Sequence, residues 1–352
     1  MPIRVLVVDD SAFMRKAISM MLEDDSEIEI AGTARDGLEA IEKVKALKPD
    51  LMTLDVEMPR MDGITALKKI MKECPLPVLM VSSITVDGAR ATIDAMAAGA
   101  VDFIPKQLSY VSLDITKIKV DLIAKIKAIA KNRSRIFSRV MSNKVSTPRR
   151  NYSLKHMAAQ LVTIGISTGG PFSLQKVIPS LPENFPLPVA IVQHMPPHFT
   201  KSLAERLDSI SRVEVCEAED GMELSKGKVF IAPGGLHLKF KAVGSKVQIV
   251  TSKEPADSLH RPSVDVMFKS AFDIYGGKIL AAVMTGMGRD GLEGAKLIKA
   301  SGGKVVAQNE ETCVVYGMPK AIVDAELADA VVPLEEMAAA LTAAVSLTAV
   351  PV

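Results

Sequence analysis

Ile3-Arg4-Val5-Leu6-Val7-Val8-Asp9-Asp10 decides how the first part of the chain folds. Its β-branched and aliphatic run reads as a short strand buried on both faces, and two carboxylates follow at once. The same unit recurs further on. EIEIAG (27–32) precedes a helical stretch over 37–47, DLMTLD (50–55) one over 63–71, and PVLMVSS (77–83) one over 88–97; VDFI (101–104) comes last, before a helix over about 112–130. Strands alternating with amphipathic helices at this rhythm predict a parallel sheet covered on both faces. Past that helix the pattern dissolves into KNRSRIFSRVMSNKVSTPRRNYSLKH, whose Ser, Asn, Arg and Pro mark a linker.

A second alternating block starts at QLVTIGISTGG (160–170), continues through PLPVAIVQHM (186–195) and KILAAVMTGMGRDG (278–291), and ends with KVVAQ (304–308) and two Ala-rich helices. Between 213 and 250, VEVCEA, KVFIAPGG, HLKF and KVQIVTS are short strands with Gly-rich turns and no room for helices, which suggests an antiparallel hairpin excursion. The expected division is 1–130, a basic linker over 131–157, and 158–352. At about 150 residues per domain, 352 residues favour two domains.

Composition narrows the class. Hydrophobic residues at 48% and charged residues at 24% exclude a disordered or fibrous chain. Cys74, Cys216 and Cys313 are an odd number without a CxxC pair, so a disulfide framework is unexpected and a reducing cytosol fits. The apolar run before Asp9 is too short for the core of a signal peptide, and the uncharged tail 337–352 is shorter than the roughly 20 residues that span a bilayer. A cytoplasmic protein without membrane insertion is expected. Residues 122–155 hold ten Lys/Arg and no Asp/Glu, which leaves −8 for the rest of a chain whose net charge is +2. With few aromatics and no base-reading motif, this run reads as a solvated linker and not as a nucleic-acid contact.

In parallel α/β sheets the loops past the strand ends converge on one crevice. Here those positions hold Asp9 and Asp10, Asp55, Ser82 with Ser83, and Lys106. A lone Asp after a strand is usually a turn or helix cap. Three gathered carboxylates instead repel, and a hard divalent cation relieves them with help from a lysine. Their order resembles the receiver domain of bacterial response regulators. That resemblance implies that Asp55 is the phosphoacceptor, that Asp10, Asp55 and the Glu57 carbonyl ligate Mg²⁺, and that Asp9 contacts it through water. It further implies that Ser82 bonds the phosphoryl group, Lys106 pairs with it, and Phe103 is the aromatic switch. One departure is visible: receivers usually follow that lysine with proline, whereas Phe103-Ile104-Pro105-Lys106-Gln107 places proline before it.

In the second block, a strand runs through GISTGG into a helix, which sets Ser167 in a tight turn near free helix N–H groups, a position suited to a nucleophile. It also matches the loose G-x-S-x-G pattern. A serine nucleophile needs a base, and the histidines are His156, His194, His198, His237 and His260. His194 ends a strand, as Ser167 does, and Asp290 follows the strand ILAAVM, where it could orient an imidazole or simply cap a helix.

Taken with the receiver, GISTGG, VQHMP, APGG, HRPSVDVMF and TGMGRDG make the whole chain resemble the chemotaxis protein-glutamate methylesterase and glutamine deamidase family of two-component signalling. The implied fold is α/β throughout: a flavodoxin-like five-stranded receiver, then a doubly wound, mostly parallel domain with an antiparallel hairpin. The implied triad is Ser167 as nucleophile, His194 as base and Asp290 as orienting acid. The resemblance further implies that the Met287 N–H belongs to the oxyanion hole, with Thr168 beside the nucleophile, and that the hydrolase site needs no cofactor. His260 and Arg261 either line the substrate cleft or cap the helix starting at Ser263. The substrate would be methylated cytoplasmic helices of chemoreceptors, a histidine kinase the phosphodonor, and the unphosphorylated receiver would hinder access to Ser167. A hydrolase of another ester or amide, and a regulator with a purely binding output, remain open from sequence.

Overall fold

In a computed structural model of the chain, the described residues are 1–106, 114–132 and 156–345, so most of the expected linker lies outside them. The chain divides into two compact units, Met1–Lys144 and Val145–Val352.

The first unit follows the expected alternation. It runs β1 (Ile3–Val8), α1 (Ala12–Glu23), β2 (Ile28–Ala34), α2 (Gly37–Leu47), β3 (Leu51–Asp55), α3 (Gly63–Glu73), β4 (Val78–Ser82), α4 (Val86–Ala97), β5 (Asp102–Pro105) and α5 (Asp114–Lys131). The sheet order is β2-β1-β3-β4-β5 with every pairing parallel. Val8 pairs with Leu54 and Asp55 with Val81, so the acidic strand ends share one edge at the β1/β3 reversal of strand order. Ser11, Asp36, Asp62 and Thr85 accept N–H groups at the starts of α1 to α4. These four are ordinary caps, worth about 1 kcal/mol each. Asp9 and Asp55 are not caps and are buried. Part of the basic run is also paired: Lys127 contacts Asp25 and Glu27 at 2.7 and 2.8 Å.

The second unit contains β6 (Leu161–Ile166), α6 (Gly170–Val177), β7 (Val189–Gln193), α7 (Phe199–Ile210), β8 (Glu214–Glu217), β9 (Lys228–Ile231), β10 (His237–Val243) and β11 (Lys246–Ser252). It continues with α8 (Val264–Tyr275), β12 (Ile279–Val283), α9 (Leu292–Ala300), β13 (Lys304–Gln308), α10 (Met318–Asp324), β14 (Ala330–Val332) and α11 (Leu334–Val345). Seven strands form a parallel sheet in the order β14-β13-β12-β6-β7-β9-β8. Val264, Met267, Phe268 and Ala271 of α8 recur at helical spacing and are fully buried.

The hairpin differs in extent from the sequence expectation. Only β10 and β11 form it, as a separate antiparallel pair, whereas β8 and β9 extend the parallel sheet. A parallel β8–β9 connection needs a cover for its crossover, and here no helix supplies it. The connecting segment instead lies against β11: Gly221 N–H donates to Ile249 O at 2.9 Å, and Ile249 N–H to Met222 O at 2.7 Å. No helix among the described residues is long and apolar enough to cross a membrane.

Candidate functional site

β6 is the central strand of the second sheet, with β7 on one side and β12 on the other. The residues past these three strand ends therefore meet. Ser167 follows β6, its N–H donates to Thr285 O at 2.9 Å, and its carbonyl accepts from Gly170 N–H at 2.7 Å as α6 begins. His194 follows β7, and its Nδ1 lies 3.2 Å from Ser167 Oγ. Its Nε2 lies 2.8 Å from Asp290 Oδ2.

Asp290 is bound as an anion at the start of α8. Ser263 Oγ donates to its Oδ1 at 3.0 Å, Val264 N–H to Oδ2 at 2.7 Å and Asp265 N–H to Oδ1 at 2.9 Å. Burial alone would raise its pKa, but His194 and the helix N–H donors outweigh that and hold the carboxyl below the ordinary range. An ionised Asp290 only accepts, so the imidazole proton sits on Nε2 and the Nδ1 lone pair faces the serine hydroxyl.

The loop past β12 closes the other side of Ser167. A Cβ on Gly286 would lie 2.8 Å from Ser167 Cβ and 2.4 Å from Met318 Sδ, so only glycine lets this backbone approach. Met287 comes next and is partly exposed, while Thr168 is buried. The expected cap role of His260 and Arg261 does not hold, because Ser263 caps α8 by accepting from Val266 N–H. The His260 ring instead stacks on His194, centroids 4.1 Å apart at 21°. Arg261 Nη2 donates to Ala256 O at 2.9 Å, bracing its own loop.

Several buried polar groups escaped sequence reasoning. Gln193 Nε2 donates to Ser167 O at 3.1 Å and to His194 O at 3.2 Å. Thr285 Oγ1 donates to Thr168 O at 2.9 Å and accepts from the Val314 and Val315 N–H groups at 3.1 Å. His237, held neutral by burial, accepts from Ser263 N–H at 3.3 Å. Only position hinted at them: Gln193 precedes His194 and Thr285 follows β12.

In the first unit, Lys106 Nζ bridges Asp9 Oδ2 at 2.9 Å and Asp55 Oδ2 at 2.6 Å. The displaced proline leaves the lysine in reach: Pro105 pairs with Ser82, and Lys106 N–H donates to Ser82 O at 2.6 Å. Burial, then the Asp9 charge, push the Asp55 carboxyl up to about 6 against the opposing pull of Lys106. Carboxylate oxygens of Asp9, Asp10 and Asp55 lie within 4.8 Å of one another. Three acids facing one ammonium, all hard oxygen donors, suit a divalent cation such as Mg²⁺. Glu57 N–H donates to Asp55 Oδ1 at 3.4 Å. The Ser82 hydroxyl donates to Gly88 O at 3.1 Å. Phe103 is buried, with Lys125 Nζ 5.7 Å above its ring.

The CheB methylesterase family matches residues 162–341, and the response regulator receiver domain matches residues 5–115. A protein-glutamate methylesterase/protein-glutamine glutaminase 1 of Oleidesulfovibrio alaskensis is 50% identical over 366 residues, covering 97% of this chain and 99% of the relative. A protein-glutamate methylesterase/protein-glutamine glutaminase of Thermotoga maritima is 48% identical over 331 residues, covering 94% and 95%. The crystal structure of the Thermotoga maritima CheB methylesterase catalytic domain is 49% identical with a TM-score of 0.51, covering 53% of this chain and 98% of that one. Two matched domains in this order and near full-length identity place the chain in the CheB methylesterase family, with a receiver domain at its amino end.

Proposed function

We propose that Ser167, His194 and Asp290 hydrolyse glutamate γ-methyl esters, and glutamine side-chain amides, on chemoreceptor cytoplasmic helices. The enzyme is a phosphorylation-regulated protein-glutamate methylesterase and protein-glutamine glutaminase of chemotaxis. The observation that carries the residue assignment is the unbroken line from Ser167 Oγ through both His194 nitrogens to Asp290.

His194 Nδ1 takes the Ser167 proton as Oγ attacks the ester carbonyl. The oxyanion meets the Met287 N–H beside Thr168; one such donor is worth about 10²–10³ in rate. The imidazolium, held by Asp290, gives its proton to the departing methanol or ammonia. Water, deprotonated by the same nitrogen, then frees the glutamate. His260, stacked on His194, and Arg261 border the cleft.

The receiver, assigned to 1–130 and joined by a linker over 131–157 to the hydrolase over 158–352, takes a phosphoryl group on Asp55 from a histidine kinase. Asp10, Asp55 and the Glu57 carbonyl would hold Mg²⁺, with Asp9 reaching it through water, and the ion would neutralise the transferring oxygens. Lys106 pairs with the phosphoryl group, Ser82 turns to bond it, and Phe103 relays the change. Release of labelled methanol from methylated receptor membranes, with and without Mg²⁺ and a small phosphodonor, tests this, with Ser167→Ala as blank. Serine-dependent release that rises with phosphodonor supports it; release unchanged in Ser167→Ala overturns it.

A further inference from the structure

Helices α8 and α9 are closed at their starts by each other's carboxylates. Asp290 lies just ahead of α9 yet accepts from the first N–H groups of α8. Asp265, the second residue of α8, accepts from Gly294 N–H in the first turn of α9 at 2.7 Å. The Gly291 N-cap position of α9 offers no side chain to do this. The two helices touch closely, since a Cβ on Gly294 would lie 2.3 Å from Phe268 Cβ.

Asp265 thus takes part in both directions of the exchange: its N–H donates to Asp290 Oδ1 and its Oδ1 accepts from Gly294 N–H. The segment between Gly286 and Gly291 carries the orienting acid and the Met287 N–H. Thr285 pins its amino end through Gln308, Thr168, Val314 and Val315. Asp265 pins its carboxyl end.

We propose that Asp265 is a positioning residue for the hydrolase, clamping the 286–291 segment so that Asp290 holds His194 and the Met287 N–H faces the oxyanion. This rests on the assignment of Ser167, His194 and Asp290 as the triad. Burial and the neighbouring Asp290 push the Asp265 carboxyl up to about 6, so its site disfavours the charge. Its Oδ1 acceptor, at this reach, is the working atom, and an asparagine retains it.

The experiment compares methanol release by the full-length protein and its Asp265→Ala, Asp265→Asn, Asp265→Glu and Ser167→Ala variants, with melting curves for each. Misplacing catalytic groups by an ångström costs up to about 10²-fold, so Asp265→Ala and Asp265→Glu are expected to lose about 10- to 100-fold in kcat with KM within about twofold. Asp265→Asn is expected to keep kcat within about threefold of the parent, as the conservative replacement. Should Asp265→Ala fail to fold, the contrast of Asn with Glu carries the test. Parent-like kcat in Asp265→Ala or Asp265→Glu, a loss in KM alone, or an Asp265→Asn as poor as the others overturns the proposal. An active Ser167→Ala would instead overturn the triad beneath it.

Discussion

Nδ1 of His194 faces Ser167 Oγ at 3.2 Å, and Nε2 faces Asp290. In the chymotrypsin arrangement the nitrogens exchange these partners, so the proposed chemistry needs only the ring turned over. Asp290→Asn would put an amide donor against Nε2 and drive the ring proton to Nδ1, where it blocks deprotonation of the serine. A loss of about 10⁴-fold in kcat is expected, with KM little changed. Methanol release within tenfold of the parent would show that Asp290 does not set the tautomer.

Asp55 titrates in the folded receiver at about 6, against 3.8 for an unperturbed aspartate, chiefly because it is buried. The folded state binds this proton more tightly than the unfolded one, so stability falls as pH rises from about 4 to 6 and the full cost stays in place above pH 6. Asp55→Asn should therefore raise the receiver's melting temperature at pH 7.5, by a gain on the order of 1–3 kcal/mol. The gain should shrink through pH 6 and vanish below about pH 4, where the parent carboxyl is protonated in both states. Saturating Mg²⁺ should shrink it too. Melting below the parent at pH 7.5 would mean that the Lys106 contact outweighs burial.

Half-buried Lys125 packs on the buried Asp102, Nζ to Oδ2 at 3.0 Å, and also donates to Phe103 O at 3.0 Å. Removing one member of such a pair strands the other, at a cost of about 3–5 kcal/mol. Lys125→Met should lower the receiver's urea midpoint sharply, and adding Asp102→Asn should recover much of it. A double variant no better than the single would show that the helix packing of Lys125, and not the ion pair, is what was lost.

The strand ends were legible because a parallel sheet fixes where its loops go. Asp9, Ser167, His194 and Asp290 each follow a strand and Asp55 ends one, and the alternation alone puts them at two crevices. Lys106 stayed legible despite its displaced proline, since Pro105 still pairs with Ser82 and fixes the register. The β8–β9 pairing was not legible. Short strands without intervening helices suggest a hairpin, and only the tertiary contact with β11 lets a helixless crossover stand. Asp265 was equally hidden: inside VDVMF it reads as a solvated helix residue, and its partner Gly294 is set by how α8 and α9 dock.

Gln193, the last residue of β7, ties Ser167 and His194 together through one side chain. It is 2% exposed, and its Nε2 reaches both carbonyls. Gln193→Leu keeps the volume but removes this donor; Ser167 O keeps the Gly170 N–H, while His194 O loses its side-chain partner, at about 1–3 kcal/mol for an acceptor left unsatisfied. Melting of the hydrolase unit should fall and methanol release should drop, mostly in kcat, because the misplaced groups act on bound substrate. Gln193→Glu should be worse than leucine at pH 8, since an ionised carboxylate would face two carbonyl oxygens where an amide N–H₂ stood. A leucine variant with parent-like melting and kcat would mean that the turn after β6 and the strand pairing hold the nucleophile and its base unaided.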